Sequence, residues 1–184
     1  IYRKNGCVSI DNLPVARYLL PLKSNSLVSK GSSLSDADKA DLQASVDQAV
    51  NGAQLAAQYN PNNYLNFQML GSVYQNLGTL GVKDTFGKAL EAYKKASALN
   101  PSNPRLKLAM ANVSFSLEKT KEAKNYANEA LALKVDYIDA FITLSQIAKS
   151  EGDSAGAISY GEKALALAPL NKDLIKYVDS LKNG

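Results

Sequence analysis

The sequence predicts an all-α fold: an α-solenoid of antiparallel helix pairs with a C-terminal capping helix. Three observations carry that prediction. One phrase occurs three times, as KALEAYKKASALNP at 88–101, EAKNYANEALALKV at 122–135 and GAISYGEKALALAP at 156–169. Its columns keep a fixed period: Ala89, Ala123 and Ala157 stand 34 residues apart, as do Ala96, Ala130 and Ala164, and Leu99, Leu133 and Leu167. A fixed period of this size marks a stacked helix–turn–helix unit that buries its apolar face only against its neighbours. Between the copies, apolar residues recur at the three- and four-residue steps of a helix face.

Taken in order, residues 1–34 are an irregular basic leader and 35–184 the solenoid. Pro14 and Pro21 limit any helix in the leader to Val15–Leu20, and Ser24 to Ser35 has the Ser, Asn and Gly content of a linker. Ser35-Asp36-Ala37-Asp38 opens a helix with a capping residue and early carboxylates. That helix carries Leu42, Val46, Ala49, Val50, Ala53, Ala56 and Ala57, and stops at Asn60-Pro61, because the residue before proline is pushed out of the helical region. It forms a partial repeat, 35–63, of second-helix type.

The first complete repeat, 64–103, pairs a helix at Tyr64–Leu77 with one at Thr85–Leu99. Between them Gly78 to Asp84 is six residues longer than the regular spacing, an insertion placed in an exposed turn. The next repeat, 104–137, opens on Pro104, tolerated in a first helical turn, and pairs Leu106–Leu117 with Thr120–Leu133. The last, 138–171, pairs Ile138–Ser150 with Asp153–Leu167, turning at Gly152. A cap helix at 172–183 has Leu174, Ile175, Val178 and Leu181 on one face and charges elsewhere.

Composition bounds the chemistry. The chain has no histidine, which removes the commonest general base and the commonest metal ligand, so Ser–His–Asp, Cys–His and the usual zinc arrangements are excluded within it. Its single cysteine, Cys7, forms no internal disulfide and lacks the setting of a lipidation site. Carboxylates are scattered. Gly78, Gly81 and Gly87 are not followed by the Lys-Ser/Thr of a phosphate loop. No catalytic residue, cofactor or metal site is therefore expected.

The net charge of +4 resides wholly in the leader, where Arg3, Lys4, Arg17, Lys23 and Lys30 face only Asp11. That segment suits either a solvated tail or a juxtamembrane or partner-facing basic stretch. The neutral body argues against nucleic acid as partner. No run of about 18 apolar residues occurs, so no membrane span is expected within the chain. Neither is there a secretory signal, and the chain opens on Ile1, as a segment of a longer protein would.

The repeats resemble the tetratricopeptide-repeat (TPR) family. The family pattern asks for an aromatic, Leu, Gly and Tyr on the first helix, then Ala, an aromatic, Ala and Pro on the second. Phe67, Leu70, Gly71 and Tyr74 with Ala89, Tyr93, Ala96 and Pro101 supply it. Phe141, Leu144, Ala157, Ala164 and Pro169 supply most of it again, with Ser145 at the glycine place. The middle repeat departs most, with Lys107 for the aromatic and Val135 for the proline. In the partial repeat, Ala49, Ala53, Ala56 and Pro61 fit the second helix. The resemblance implies a right-handed superhelix. A narrower similarity, carried by the phrase from Asn60 to Phe67 and the insertion after Leu77, is to the repeat region of bacterial O-antigen ligase or polymerase-like membrane proteins. It implies an extracytoplasmic accessory role in glycan assembly; without such a parent, a cytoplasmic location is expected.

The family resemblance also implies a concave groove lined by first helices. Here its positions are Leu65, Gln68, Ser72 and Gln75; then Arg105, Leu108, Asn112 and Phe115; then Asp139, Ile142, Gln146 and Lys149. Their amides suit an extended protein or peptide segment, whose backbone both donates and accepts. The Lys/Asn/Arg clamp that some family members use for a peptide carboxylate is not expected, since Gln68, Ser72, Leu108, Ala109 and Asn112 occupy its places and only Asn112 fits. The tyrosines are expected to pack with a wet hydroxyl. The function expected is that of an interaction scaffold, with glycan-assembly machinery as the alternative partner.

Overall fold

A computed structural model describes residues 36–183, with side chains from Ala44 onward. The expectations for the leader, including Cys7 and its basic residues, lie outside the described residues. These hold eight helices: α1 Asp36–Tyr59, α2 Tyr64–Thr79, α3 Thr85–Leu99, α4 Pro104–Ser116, α5 Thr120–Leu133, α6 Ile138–Ser150, α7 Ser154–Leu167 and α8 Lys172–Lys182. The pairs α2–α3, α4–α5 and α6–α7 share the largest interfaces, and each pair packs on the next. The result is an α-solenoid.

Local chemistry sets the starts of the first helices. Asn63 Oδ1 accepts from Leu65 N at 3.1 Å, Asn103 Oδ1 from Arg105 N at 3.0 Å, and Asn171 Oδ1 from both Asp173 N and Leu174 N at 3.1 Å. Each side chain takes up amides that lack a carbonyl partner in the first turn. Because Asn103 caps it, α4 begins at Pro104, two residues before the apolar pattern starts. Asp153 caps α7 in the same way, through Gly156 N at 2.8 Å.

Packing explains the small residues. Ala89, Ala96, Ala111, Ala123, Ala127, Ala130, Ala140 and Ala164 have no exposed surface. They let helices approach closely while larger side chains fill the layers between. Two glycines go further. A Cβ on Gly71 would lie 2.7 Å from the Tyr93 ring, and one on Gly78 would lie 2.6 Å from the Phe86 ring. Each aromatic therefore seats directly on helix backbone. In α1 the buried row is Ala49, Ala53 and Ala57, whereas Ala56 is half-buried. The Ala56 carbonyl turns to the edge, where Asn66 Nδ2 donates to it at 2.8 Å.

The insertion between α2 and α3 is an exposed turn with Gly81 at φ 83° and Asp84 at φ 61°. At the departures from the family pattern, polar chemistry substitutes. Lys107 pairs with Glu129 at 2.6 Å, holding α4 to α5 where an aromatic would pack. Ser145 donates to the Ala157 carbonyl at 2.6 Å and accepts from Tyr177 Oη at 3.0 Å. One hydroxyl thus links α6, α7 and the terminal helix. Leu174, Val178 and Leu181 of α8 are buried, and Lys182 pairs with Glu162 at 2.7 Å. Apolar inward and charged outward, α8 closes the stack.

Candidate functional site

The first helices form the inner layer. Besides its chain neighbours, α4 reaches α6 directly, and no comparable contact joins α5 to α7. Between α4 and α6 lies an open cleft of about 430 Å³ lined by Leu108, Asn112, Phe115, Ser116, Asp139, Ile142, Thr143 and Gln146.

Six of the twelve expected groove residues meet there: Leu108, Asn112, Phe115, Asp139, Ile142 and Gln146. Leu108 forms the floor; it is 7% exposed and packs with Ala130 and Ala140. Phe115, Ile142 and Asn112 are half-buried, and Gln146 and Asp139 stand exposed on the rim. Arg105 and Lys149 are exposed but do not line the cleft. Nor do the four residues of α2. Of these, Leu65 and Ser72 are exposed, and Gln68 and Gln75 half-buried. Gln75 Oε1 is already engaged, accepting from Tyr93 Oη at 2.8 Å.

Two lining residues, Thr143 and Ser116, escaped the expectation, which sampled four positions per first helix. Thr143 Oγ1 lies 2.9 Å from both Asn112 Oδ1 and the Asp139 carbonyl. The hydroxyl has one proton, so it serves one acceptor at a time. The Asp139 carbonyl keeps a second lone pair beside its helix-ladder bond, so it and Asn112 Oδ1 are alternative acceptors for that proton. The Asn112 Oδ1 thus faces α6, and its Nδ2 group is left for the cleft.

Asp139 on the cleft rim and Arg105 outside the cleft both act on Tyr137. Burial pushes the Tyr137 phenol above its usual value; the nearby Asp139 carboxylate adds to the rise and Arg105 opposes it. Elsewhere, Tyr93 is pushed up to about 12, chiefly by burial, with a Ser72 hydrogen bond partly offsetting it. A second open depression, about 520 Å³, lies over α3. Its Phe67 ring is covered by Lys95 Nζ at 5.8 Å, and its rim mixes Asp84 and Glu91 with Lys88. None of the expected groove residues lines this depression; those that come together do so in the cleft between α4 and α6. Among the described residues, no helix is long and apolar enough to cross a membrane.

Several known proteins are similar. A thermophilic TPR protein of Thermus thermophilus superposes with a TM-score of 0.67 at 22% identity, covering 94% of this chain and 97% of that one. The first TPR of Spaghetti (RPAP3), bound to an HSP90 peptide SRMEEVD, superposes at 0.58 and 23% identity, covering 65% of this chain and 90% of that one. Human protein O-mannosyl-transferase TMTC1 is 31% identical over 106 residues, which is 58% of this chain but 11% of that protein. The chain thus spans about a tenth of that relative. The narrower similarity to O-antigen ligase-like proteins gains no support from these relatives. A family model described as tetratricopeptide repeat matches residues 84–147. Those residues carry the tetratricopeptide repeat, and the described chain has the fold of a tetratricopeptide-repeat solenoid.

Proposed function

We propose that the chain is a non-enzymatic interaction module that holds an extended, uncharged segment of a partner protein across the cleft between α4 and α6. The observation that carries this is the juxtaposition of an apolar floor, Leu108, Phe115 and Ile142, with the Asn112 and Gln146 amides. An extended segment places alternate side chains on the floor while its backbone meets the amides. A fold neighbour bears an acidic peptide. Here the clamp positions hold Gln68, Ser72, Leu108 and Ala109 rather than bases, which favours a neutral segment. The test is selection from a displayed library of random peptides, followed by calorimetry with the wild type and with Ile142→Lys/Gln146→Glu. Enrichment of neutral, apolar-containing sequences whose binding the variant abolishes is expected. Enrichment of acidic C-termini, or equal binding by the variant, would sink the reading.

A second reading, an extracytoplasmic accessory domain in glycan assembly, draws on the similarity to a protein O-mannosyl-transferase. It predicts that membrane-protein partners of glycan transfer, or glycans themselves, engage the solenoid. Titrating mannose oligosaccharides to millimolar concentration while following backbone amide signals addresses direct contact; unchanged signals count against it.

A further inference from the structure

The exposed apolar residues are not scattered. In this antiparallel stack the loops 60–63, 100–103, 134–137 and 168–171 share one edge, and the loops within each helix pair share the other. Ten large apolar side chains stand exposed among the described residues, and eight of them lie on the first edge. Leu55, Tyr59 and Leu65 flank the first loop, Leu99 the second, Leu133 and Val135 the third. Leu167 and Leu170 follow at the fourth. Tyr59, Val135 and Leu170 are the most open, at 87%, 79% and 89%. The opposite edge is charged: Lys83, Asp84, Glu118, Lys119, Glu151 and Asp153 are exposed there, with Leu80 and Val82 as its apolar share.

We propose that this apolar edge is a self-association surface, on which a second copy of the chain packs antiparallel about a two-fold axis. The charges favour that occupant. A two-fold axis through the middle of the strip lays the second loop of one copy on the third loop of the other. Arg105 stands exposed beside the second loop, and at the third Asp136 and Asp139 outnumber Lys134. The pairing is therefore complementary at its centre. At its ends, Tyr59 and Leu65 meet the Leu167 and Leu170 of the second copy, apolar on apolar. A lipid surface is a poorer fit. Anionic membranes draw clusters of Lys and Arg, and along this edge Arg105, Lys134 and Lys172 are matched by Asp136, Asp139 and Asp173. The strip would bury on the order of 500 Å² per copy, at the weak end of specific interfaces, so the dimer is reversible.

Sedimentation velocity of the full chain from about 1 μM to about 1 mM tests this. A monomer–dimer equilibrium within that range is expected. Val135→Lys/Leu170→Lys, both in exposed loops, weakens it at least about tenfold, while Val82→Lys on the other edge leaves it unchanged. Matching far-UV circular dichroism melts show that the variants stay folded. A monomer throughout the range, or a dimer indifferent to the edge variant, overturns the proposal. So does monomer flotation with phosphatidylcholine/phosphatidylglycerol vesicles that the edge variant abolishes, because the edge then serves lipid.

Discussion

Thr143 Oγ1 and Asn112 Oδ1 lie 2.9 Å apart, joining α6 to α4 across the floor of the cleft, 31 residues apart in the chain. Neither helix is the other's neighbour in sequence, so this bond ties two repeats of the solenoid at the proposed recognition surface. It also fixes the Asn112 amide before any partner arrives, which lowers the ordering cost of binding. Thr143→Val keeps the shape and removes the hydroxyl. We expect a loss of about 1 kcal/mol in urea unfolding. The coupling between Thr143→Val and Asn112→Ala in a double-mutant cycle should be of similar size, and additive losses would mean the bond contributes nothing.

Gly71 and Gly78 each seat an aromatic ring on helix backbone. Gly71→Ala drives a methyl into Tyr93, which is 4% exposed and tethered to Gln75. The ring has little room to yield. Destabilisation of roughly 1–3 kcal/mol is expected, as for overpacking in general. Gly87→Ala, with open space around its position, serves as the control and should be neutral or slightly stabilising. Equal melting temperatures for Gly71→Ala and Gly87→Ala would contradict this packing.

Glu118 occupies a left-handed conformation, φ 59°, in the turn between α4 and α5. The matching turn one repeat on uses Gly152 at φ 77°. Glu118→Gly relieves a conformation that disfavours a Cβ by roughly 1–2 kcal/mol, less the entropy that glycine adds to the unfolded chain. A net gain of about 0.5–1 kcal/mol should appear in chemical denaturation. Glu118→Val, β-branched, should cost stability instead.

Ser114 is fully buried, and its hydroxyl has no hydrogen-bond partner within the described structure. An unpaired buried hydroxyl costs about 1–3 kcal/mol. Ser114→Ala is therefore expected to be neutral or stabilising by about 1 kcal/mol. Ser145→Ala, which breaks bonds to Ala157 and Tyr177, is expected to destabilise. Two equal losses would show that the two serines are held alike.

Tyr93 gives a pH signature. Its phenol is held neutral up to about 12, against an ordinary value of 10.0, chiefly by burial. Between these values the unfolded chain ionises this group and the folded chain does not. The contribution is fully present below 10.0 and is lost as pH rises towards 12. The loss is on the order of 2–3 kcal/mol for the full shift. Denaturation midpoints followed from neutral to strongly alkaline pH should fall in that window, and fall less in Tyr93→Phe.

Much of this architecture was legible from the residues. The alanine columns predict close helix contacts because only small side chains permit them, and all three members of the Ala89 and Ala96 columns are buried. The Asn60-Pro61 signal marks the end of α1 through a local mechanism that needs no tertiary context, whereas the caps at Asn63, Asn103 and Asn171 gave no expectation, and α4 begins at Pro104 rather than Leu106. The cleft was half legible. Positions on a first helix can be assigned to a face, but which neighbouring helix approaches it depends on packing. Hence α4 and α6 share a cleft, while Leu65, Gln68, Ser72 and Gln75 of α2 stay apart from it. Thr143 carried no signal, since a threonine inside a helix usually bonds only its own backbone. Glu118 carried none either: a left-handed turn is announced by glycine, not by glutamate. The apolar edge emerges only from exposure, because its leucines share the spacing of core residues.

Backbone amide shift mapping with a library-selected peptide on the isotope-labelled full chain tests the α4–α6 cleft directly. The largest shifts are expected at Asn112, Phe115, Ile142, Thr143 and Gln146, with loss of those shifts in Ile142→Lys/Gln146→Glu. Shifts concentrated on α3, α5 and α7, with the cleft residues unmoved, would contradict it.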